Sequence, residues 1–244
     1  MPHKLPVALI TGGAKRLGRH LAGQLAGTGF RVVINYLSSD LDAARLVEGI
    51  RRENGIARSF QADISDKEQV AAMFRSVRDK ERRLDLLVNN VGNYAPGPVD
   101  RLTPEGWDEC IGSNLSGAYY CCYEAAPMLE ESNGQIMNIG YAGVELNPAT
   151  PGAVAYQVSK MGLLSLTRSL AVALAPKVRV NMVSPGQLED SIDLPKDLQP
   201  TIPMGRPGTH QDVAAAIAFL LGAPYITGAN LDVAGGYRLG GNWA

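Results

Sequence analysis

An alternation constrains this chain more than any single residue does. Seven apolar runs of strand length lie at 5–11, 31–35, 58–61 with its neighbours, 84–90, 134–139, 178–184 and 229–233. Between them come stretches of helical periodicity near 16–27, 40–54, 66–80, 104–131, 154–174 and 210–221. In one of these, Leu41, Ala44, Leu46, Val47 and Ile50 recur at the helical period with charges opposite. The runs Val32-Val33-Ile34 and Leu86-Leu87-Val88 are apolar without alternation, the pattern of strands covered on both faces. Strands alternating with helices predict an α/β fold, a doubly wound parallel sheet of about seven strands with helices on both faces. No linker, low-complexity tract or solenoid repeat divides the chain, so a single domain over 1–244 is expected.

Composition narrows the function classes. A formal charge of −1 argues against a general nucleic-acid binder, and 45% hydrophobic residues argue against disorder. The three Cys include no C-x-x-C and the three His are scattered, so neither a disulfide framework nor a metal site is expected. The N-terminal apolar stretch is too short for a secretory signal. The uncharged run 213–231 is broken by Gly222, Pro224 and Gly228, so it is not expected to span a membrane. The expectation is a reduced cytoplasmic protein acting on a small molecule, without a nucleic-acid or membrane partner. One stretch escapes the regular pattern. Residues 187–208, with Pro195, Pro200, Pro203 and Pro207, form a loop long enough to be a substrate loop.

Thr11-Gly12-Gly13-Ala14-Lys15-Arg16-Leu17-Gly18 follows the first strand and opens a helix. Glycines at such a junction let backbone N–H groups approach a pyrophosphate, and the helix start adds a favourable dipole. The strict G-x-G-x-x-G spacing is absent, so the loop alone also fits a plain strand–helix connection. A carboxylate roughly 20 residues further on would bind a ribose 2′-hydroxyl. Instead the second strand ends in Asn35-Tyr36-Leu37-Ser38-Ser39, with Asp40 and Asp42 placed as first-turn helix residues. A missing acid beside Lys15, Arg16, Ser38 and Ser39 suits a 2′-phosphate, hence NADP(H) over NAD(H). Asp63, after the third strand, is either an adenine contact or a turn residue.

Tyr156-Gln157-Val158-Ser159-Lys160 opens a helical stretch, so Tyr156 and Lys160 are i,i+4 neighbours on one face. A phenol of pKa about 10 is a poor proton carrier at neutral pH, and a shift of three units requires about 4 kcal/mol. One ammonium about 4 Å away, at an effective dielectric near 20, supplies about 4 kcal/mol. Spacing alone is weak evidence, because nine Tyr among 244 residues meet a Lys four places on about 0.26 times by chance. Only the joint occurrence with the glycine loop is specific.

Thr11–Gly18, Asn89-Asn90-Val91-Gly92, Asn114, Tyr156 with Lys160, and Pro185-Gly186 occur in the order of short-chain dehydrogenases/reductases. The chain resembles that family over essentially its whole length. The resemblance implies a Rossmann-type oxidoreductase using NADP(H), and a homotetramer formed through the helices near 104–131 and 154–174. It implies Tyr156 as general acid for reduction and Lys160 as the group that lowers its pKa and holds the nicotinamide ribose. It implies Asn114 as keeper of a water path. The implied cofactor residues are Gly12, Lys15, Arg16, Leu17, Gly18, Asn35, Tyr36, Ser38, Ser39, Asp63, Asn90, Gly92, Tyr156, Lys160, Pro185 and Gly186.

Within the family, the loop TGGAKRLGR has Arg16 where most members have Gly, and is similar to that of pteridine reductases. NNVGNY places Tyr94 where those enzymes carry an aromatic that stacks on the pterin, and 225–239 is similar to their C-terminal portion. This implies hydride transfer to a dihydropteridine or quinonoid dihydropteridine, with Arg16, Tyr94 and Tyr141 at the substrate. A 3-oxoacyl-type or other small carbonyl reductase is the alternative on the same scaffold, and a non-catalytic NADP(H)-binding protein the alternative outside it. One departure stands out. Where most members have Ser, and pteridine reductases Asp, this chain has Tyr141, 15 residues before Tyr156. A phenol still donates a hydrogen bond but is far bulkier than Ser, so Tyr141 is expected to line the site. Ala234 is a second departure, where many members have Asp, and an effect on local structure or assembly is expected. Met161, Gly162, Leu163, Leu164 and Leu166 are expected in the core, and Cys121-Cys122 as buried structural thiols.

Overall fold

Alternate residues of the strands go to different helical layers. In β1 (Val7–Ile10), Ala8 and Ile10 pack into one apolar cluster while Val7 and Leu9 pack into another. The same division separates Val32 and Ile34 from Val33 in β2 (Arg31–Tyr36), and Leu86 and Val88 from Leu87 in β4 (Leu86–Asn89). This is why the runs lack polar alternation; each buried side chain of Leu or Ile size contributes about 1.5–3 kcal/mol. The computed structural model describes residues 5–94, 96–146, 149–192, 194 and 202–237.

With β3 (Ile56–Gln61), β5 (Gln135–Ile139), β6 (Arg179–Pro185) and β7 (Asn230–Val233), the seven strands form one sheet in the order β3-β2-β1-β4-β5-β6-β7. Every pairing is parallel. α1 (Arg16–Gly27), α2 (Asp40–Arg52) and α7 (His210–Gly222) cover one face. α3 (Lys67–Glu81), α5 (Gly117–Ser132) and α6 (Val154–Ala173) cover the other. The order reverses between β1 and β4, and in such sheets the crevice beyond the strand ends at that point takes the ligand. Among the described residues no helix is long and apolar enough to cross a membrane.

The helix expected over 104–131 is not continuous. It divides into α4 (Pro104–Ile111), a π-helical turn at Gly112–Ser116, and α5. The cause lies in Asn114, whose side chain binds both the N–H and the carbonyl of Asn93 (2.6 and 3.0 Å). A wide turn carries Asn114 to that main chain, while the Ser113 hydroxyl donates back to the Glu109 carbonyl at 2.8 Å. In α2 the expected phase is also corrected. Leu41 and Ala44 are exposed, and Ala43, Leu46, Val47 and Ile50 form the buried face. Other boundaries move by one or two residues for local reasons. Asp66 lies outside α3 because its carboxylate caps the Glu68 and Gln69 N–H groups. Of the proposed substrate loop, residues 193 and 195–201, with Pro195 and Pro200, lie outside the described residues, as do 238–239 and His3.

Candidate active site

The first βα junction is a backbone cradle. Gly12 holds a φ of +58°, and a Cβ on Gly18 would lie 2.5 Å from the Gly12 carbonyl oxygen, so only glycine allows this turn. Two side chains from distant segments fix it. The Asn90 amide donates to the carbonyls of Thr11 (3.0 Å) and Gly12 (3.2 Å), and Asn35 Oδ1 accepts from the Gly12 N–H. Asn35 is 1% exposed and its amide also donates to Ala62, so it ties the cradle to the strands rather than reaching for a ligand.

The cradle opens into a cleft of about 490 Å³. It is lined by every residue expected at a cofactor: Gly12, Lys15, Arg16, Leu17, Gly18, Asn35, Tyr36, Ser38, Ser39, Asp63, Asn90, Gly92, Tyr156, Lys160, Pro185 and Gly186. Asp63 is the turn residue of the two expectations, its carboxylate accepting from the Ser65 N–H and hydroxyl, and it also lines the cleft. Lys15 does not point into the cleft as an unopposed cation; it pairs with Asp42 at 3.1 Å. The tip of β2 offers Tyr36, Ser38 and Ser39 and no carboxylate, while Asp40 and Asp42 fall in the first turn of α2.

α6 brings Tyr156 and Lys160 to the floor where this cleft meets a second cavity. Lys160 is 1% exposed, its ammonium donates to the Ile139 carbonyl at 2.8 Å, and burial holds its pKa down to about 8. No anion pairs with it among the described residues. Its Nζ lies 5.8 Å from the Tyr156 ring centroid. An ammonium and a phenolate oxygen about 4–6 Å apart attract by about 3–4 kcal/mol at an effective dielectric near 20. Beneath them, the Asn114 amide donates to Ser159 Oγ at 3.1 Å, and Ser159 Oγ donates to the Tyr156 carbonyl at 2.7 Å. The expected water-path residue is therefore first of all a brace for the turn that carries Tyr156.

The second cavity, of about 420 Å³, collects Arg16, Tyr94 and Tyr141, the three expected substrate residues, around Tyr156. Tyr94 meets the Tyr156 ring edge-on at 4.9 Å, and Tyr141 lies tilted at 5.8 Å. Arg16 lines both cavities, adopts a positive φ of 48°, and lies 3.7 Å from Asp190 of the 187–208 loop. A positive φ on a non-glycine residue is a strained conformation of the kind found at functional sites. Gly186 faces Ala234, whose atoms a Cβ at 186 would meet at 2.9 Å, so the departure at Ala234 bears on backbone packing beside the cleft. Among the described residues no cluster of His, Cys, Asp and Glu is arranged to hold a metal.

Comparison with known proteins decides the family. The family model for enoyl-(acyl carrier protein) reductase matches residues 12–238. The 3-oxoacyl-[acyl-carrier-protein] reductase FabG of Staphylococcus aureus is 35% identical over 239 residues, covering 94% of this chain and 96% of that one. A short-chain dehydrogenase/reductase of Serratia marcescens superposes with a TM-score of 0.88 at 30% identity, over 96% of this chain and 99% of that one. The chain belongs to the short-chain dehydrogenase/reductase family. Acetoin dehydrogenase YohF of Salmonella typhimurium has the same fold, with a TM-score of 0.88, 28% identity and 98% coverage of both chains. These relatives are named as 3-oxoacyl and acetoin enzymes. They move the chain's affinity within the family away from the pteridine reductases suggested by Arg16 and Tyr94.

Sequence reasoning passed over several residues of this short-chain dehydrogenase/reductase. The half-buried Asn93 and the buried Cys110 and Ser159 form a brace around Asn114, with Cys110 Sγ 3.4 Å from its amide. Burial raises the Cys110 thiol, which the Ser159 hydrogen bond and the Lys160 charge oppose. Thr150, Gln157, Gln187, Ser191 and Tyr237 supply much of the polar lining of the second cavity. Ser159 carried a readable signal, a hydroxyl on the inward face of α6 between Tyr156 and Lys160.

Proposed function

We propose that this protein is an NADP(H)-dependent reductase of a small carbonyl compound, 3-oxoacyl-type in its chemistry. The observation that carries this reading is that Tyr156 lines both cavities, with the buried Lys160 ammonium beneath it. A dinucleotide fits the residues present. The tight Gly12–Gly18 turn supports a pyrophosphate at the cradle, and Ser38, Ser39 and Lys15 lining a cleft whose β2 tip carries no carboxylate support a ribose 2′-phosphate. When bound, the nicotinamide supplies the hydride. The chain's own residues supply the proton and the geometry. Tyr156 hands its phenolic proton to the carbonyl oxygen, and Lys160 stabilises the phenolate left behind. The brace of Asn93, Asn114 and Ser159 keeps Tyr156 at the junction, and Pro185-Gly186 lines both cavities.

Arg16 and Tyr94 in the second cavity favour one further reading, reduction of a pteridine. Oxidation of NADPH by acetoacetyl-CoA, dihydrobiopterin or neither separates the two readings from a binding protein without turnover. Consumption with acetoacetyl-CoA is the expected result, and NADPH binding without turnover of either compound overturns it. We also propose a homotetramer through α5 and α6, which leave Tyr119, Tyr123, Val158 and Val172 exposed in the single chain. Sedimentation at the mass of one chain would exclude it.

A further inference from the structure

We infer that Tyr141 is a specificity-determining residue: with Tyr94 it walls the proton donor in aromatic surface, so the site takes compact planar carbonyl compounds and disfavours linear acyl thioesters. The inference rests on the proposed carbonyl reduction and names its substrate class.

Three observations carry it. First, Tyr141 is held in place by its backbone. The turn after β5 is tied to β6 and β7 by Gly140 N–H to Val183 (2.8 Å), Ala142 N–H to Pro185 (2.9 Å) and Gly143 N–H to the Asp232 carboxylate (2.9 Å). A Cβ on Gly140 would lie 2.3 Å from Ser184 Oγ and 2.8 Å from Met182 Sδ, so the β6 side chains leave no room for one, and Gly143 turns the chain with a φ of +80°. The ring is also packed against the apolar cluster of Leu163, Leu164 and Met182. Second, the ring faces the chemistry. Its centroid is 5.8 Å from that of Tyr156 at 47°, on the same cavity, while Tyr94 stands at 4.9 Å and 72°. Third, Pro185-Gly186 adds a flat stretch of backbone, pressed against Ala234, to the same cavity, beside the polar groups of Thr150, Gln157, Gln187 and Ser191.

Aromatic faces reward a flat π-system by offset or edge contact, and a rigid ring loses no rotor freedom on entering. A flexible 3-oxoacyl chain gains little from such walls, must order its bonds, and competes with the Tyr141 ring for the space beside Tyr156. In the reaction the carbonyl carbon receives the hydride of NADPH and the oxygen receives the Tyr156 proton. C=O becomes CH–OH, the hydride being what a bound NADPH would supply and the proton what Tyr156 supplies.

The test is the ratio of kcat/KM for isatin to that for acetoacetyl-CoA, both with NADPH, in wild type, Tyr141→Ser and Tyr141→Phe. Wild type is expected to favour isatin by about tenfold, and Tyr141→Ser to lose about tenfold of that ratio, the scale of one or two aromatic contacts. Tyr141→Phe is expected to keep the ratio within about threefold, because the ring and not the hydroxyl makes the wall. A wild type that prefers acetoacetyl-CoA, a Tyr141→Ser ratio equal to wild type, or a Tyr141→Phe that loses the preference each overturns the inference. Should Tyr141→Ser fail to fold, the wild-type and Tyr141→Phe ratios still decide. Turnover of acetoacetyl-CoA alone overturns this inference and leaves carbonyl reduction standing. Turnover of neither compound overturns both.

Discussion

The two edges of the same parallel sheet treat charge in opposite ways. At the edge where the strands begin, Glu81 has a side chain only 3% exposed and receives Arg31 at 2.6 Å and Arg58 at 2.8 Å. Asp85 takes Arg83 through two nitrogens and the Val7 N–H at 2.8 Å, and Arg179 donates to the carbonyls of Leu220, Leu221 and Ile226 around the end of α7. At the edge where the strands end, Lys160 is just as buried, yet its one hydrogen bond among the described residues goes to a neutral carbonyl. There, too, one helix is opened by a π turn. A buried charge is tolerated when paired, and left unpaired it destabilises the fold. One edge is therefore arranged for stability and the other for a ligand not made by the chain itself.

Substitutions at the two edges should separate activity from stability. The largest effect belongs to Tyr156→Phe, which is expected to lower kcat by at least about 10²-fold while leaving NADPH affinity within about threefold, because it removes the proton and not the cofactor's walls. Stopped-flow turnover with titration of NADPH fluorescence reads both, and a large loss of affinity would mean that Tyr156 holds the cofactor instead. At the opposite edge, Glu81→Ala leaves the partly exposed Arg31 and Arg58 without their buried partner and is expected to cost about 2 kcal/mol of unfolding free energy. Its kcat per folded molecule should match wild type. A drop in kcat would show that the two edges are coupled through β2 and β3.

The difference between the edges also explains what could be read without coordinates. Strand identity and the two-sided covering were legible because the buried residues of β1, β2 and β4 are apolar except for Asn35 and Asn89 at the strand ends, a signal carried within four to six residues. The glycine cradle and the Tyr156–Lys160 pair were legible for the same reason, since their geometry is local. The π turn was not, because one added residue barely disturbs a helical period and its cause, Asn93, is 21 residues from Asn114. The phase of α2 depended on whether Ala43 or Ala44 turns inward, two equal side chains that only tertiary packing distinguishes. Kinship within the family was read from Arg16 in its loop, from Tyr94 and from the stretch 225–239, a small part of the chain. Identity of 35% over 239 residues reflects the whole scaffold instead.

Lys160 gives the next effect in size, and here function and stability oppose each other. Burial lowers its pKa from 10.5 to about 8, so the folded state releases its proton more readily than the unfolded chain. Between those values the unfolded chain binds more protons, and stability rises with pH; below about pH 8 the full penalty, of order 3 kcal/mol, is present. Lys160→Met removes that penalty and orphans the Ile139 carbonyl, which returns about 1 kcal/mol. The variant is expected to be about 2 kcal/mol more stable than wild type at pH 7, to lose that advantage between about pH 8 and 10.5, and to be severely impaired in turnover. Denaturant melts across that range measure it. A variant less stable than wild type at pH 7 would show that the ammonium is compensated in the folded protein.

The smallest effect tests which cofactor the ligand-facing edge is arranged for. Lys15 stands at the cleft beside Ser38 and Ser39 but is 3.1 Å from Asp42, with side chains 59% and 34% exposed. An exposed pair of this kind is worth about 0.2–1 kcal/mol, so Asp42→Asn should release Lys15 and tighten NADPH by about 1.5- to 5-fold at low ionic strength. The gain should fade as salt shortens the screening length to a few ångströms near 1 M. NADH lacks the 2′-phosphate that Lys15 would meet, and its affinity should stay unchanged. Equal tightening of both cofactors would assign the effect to general charge at the cleft and remove Lys15 from recognition of the 2′-phosphate.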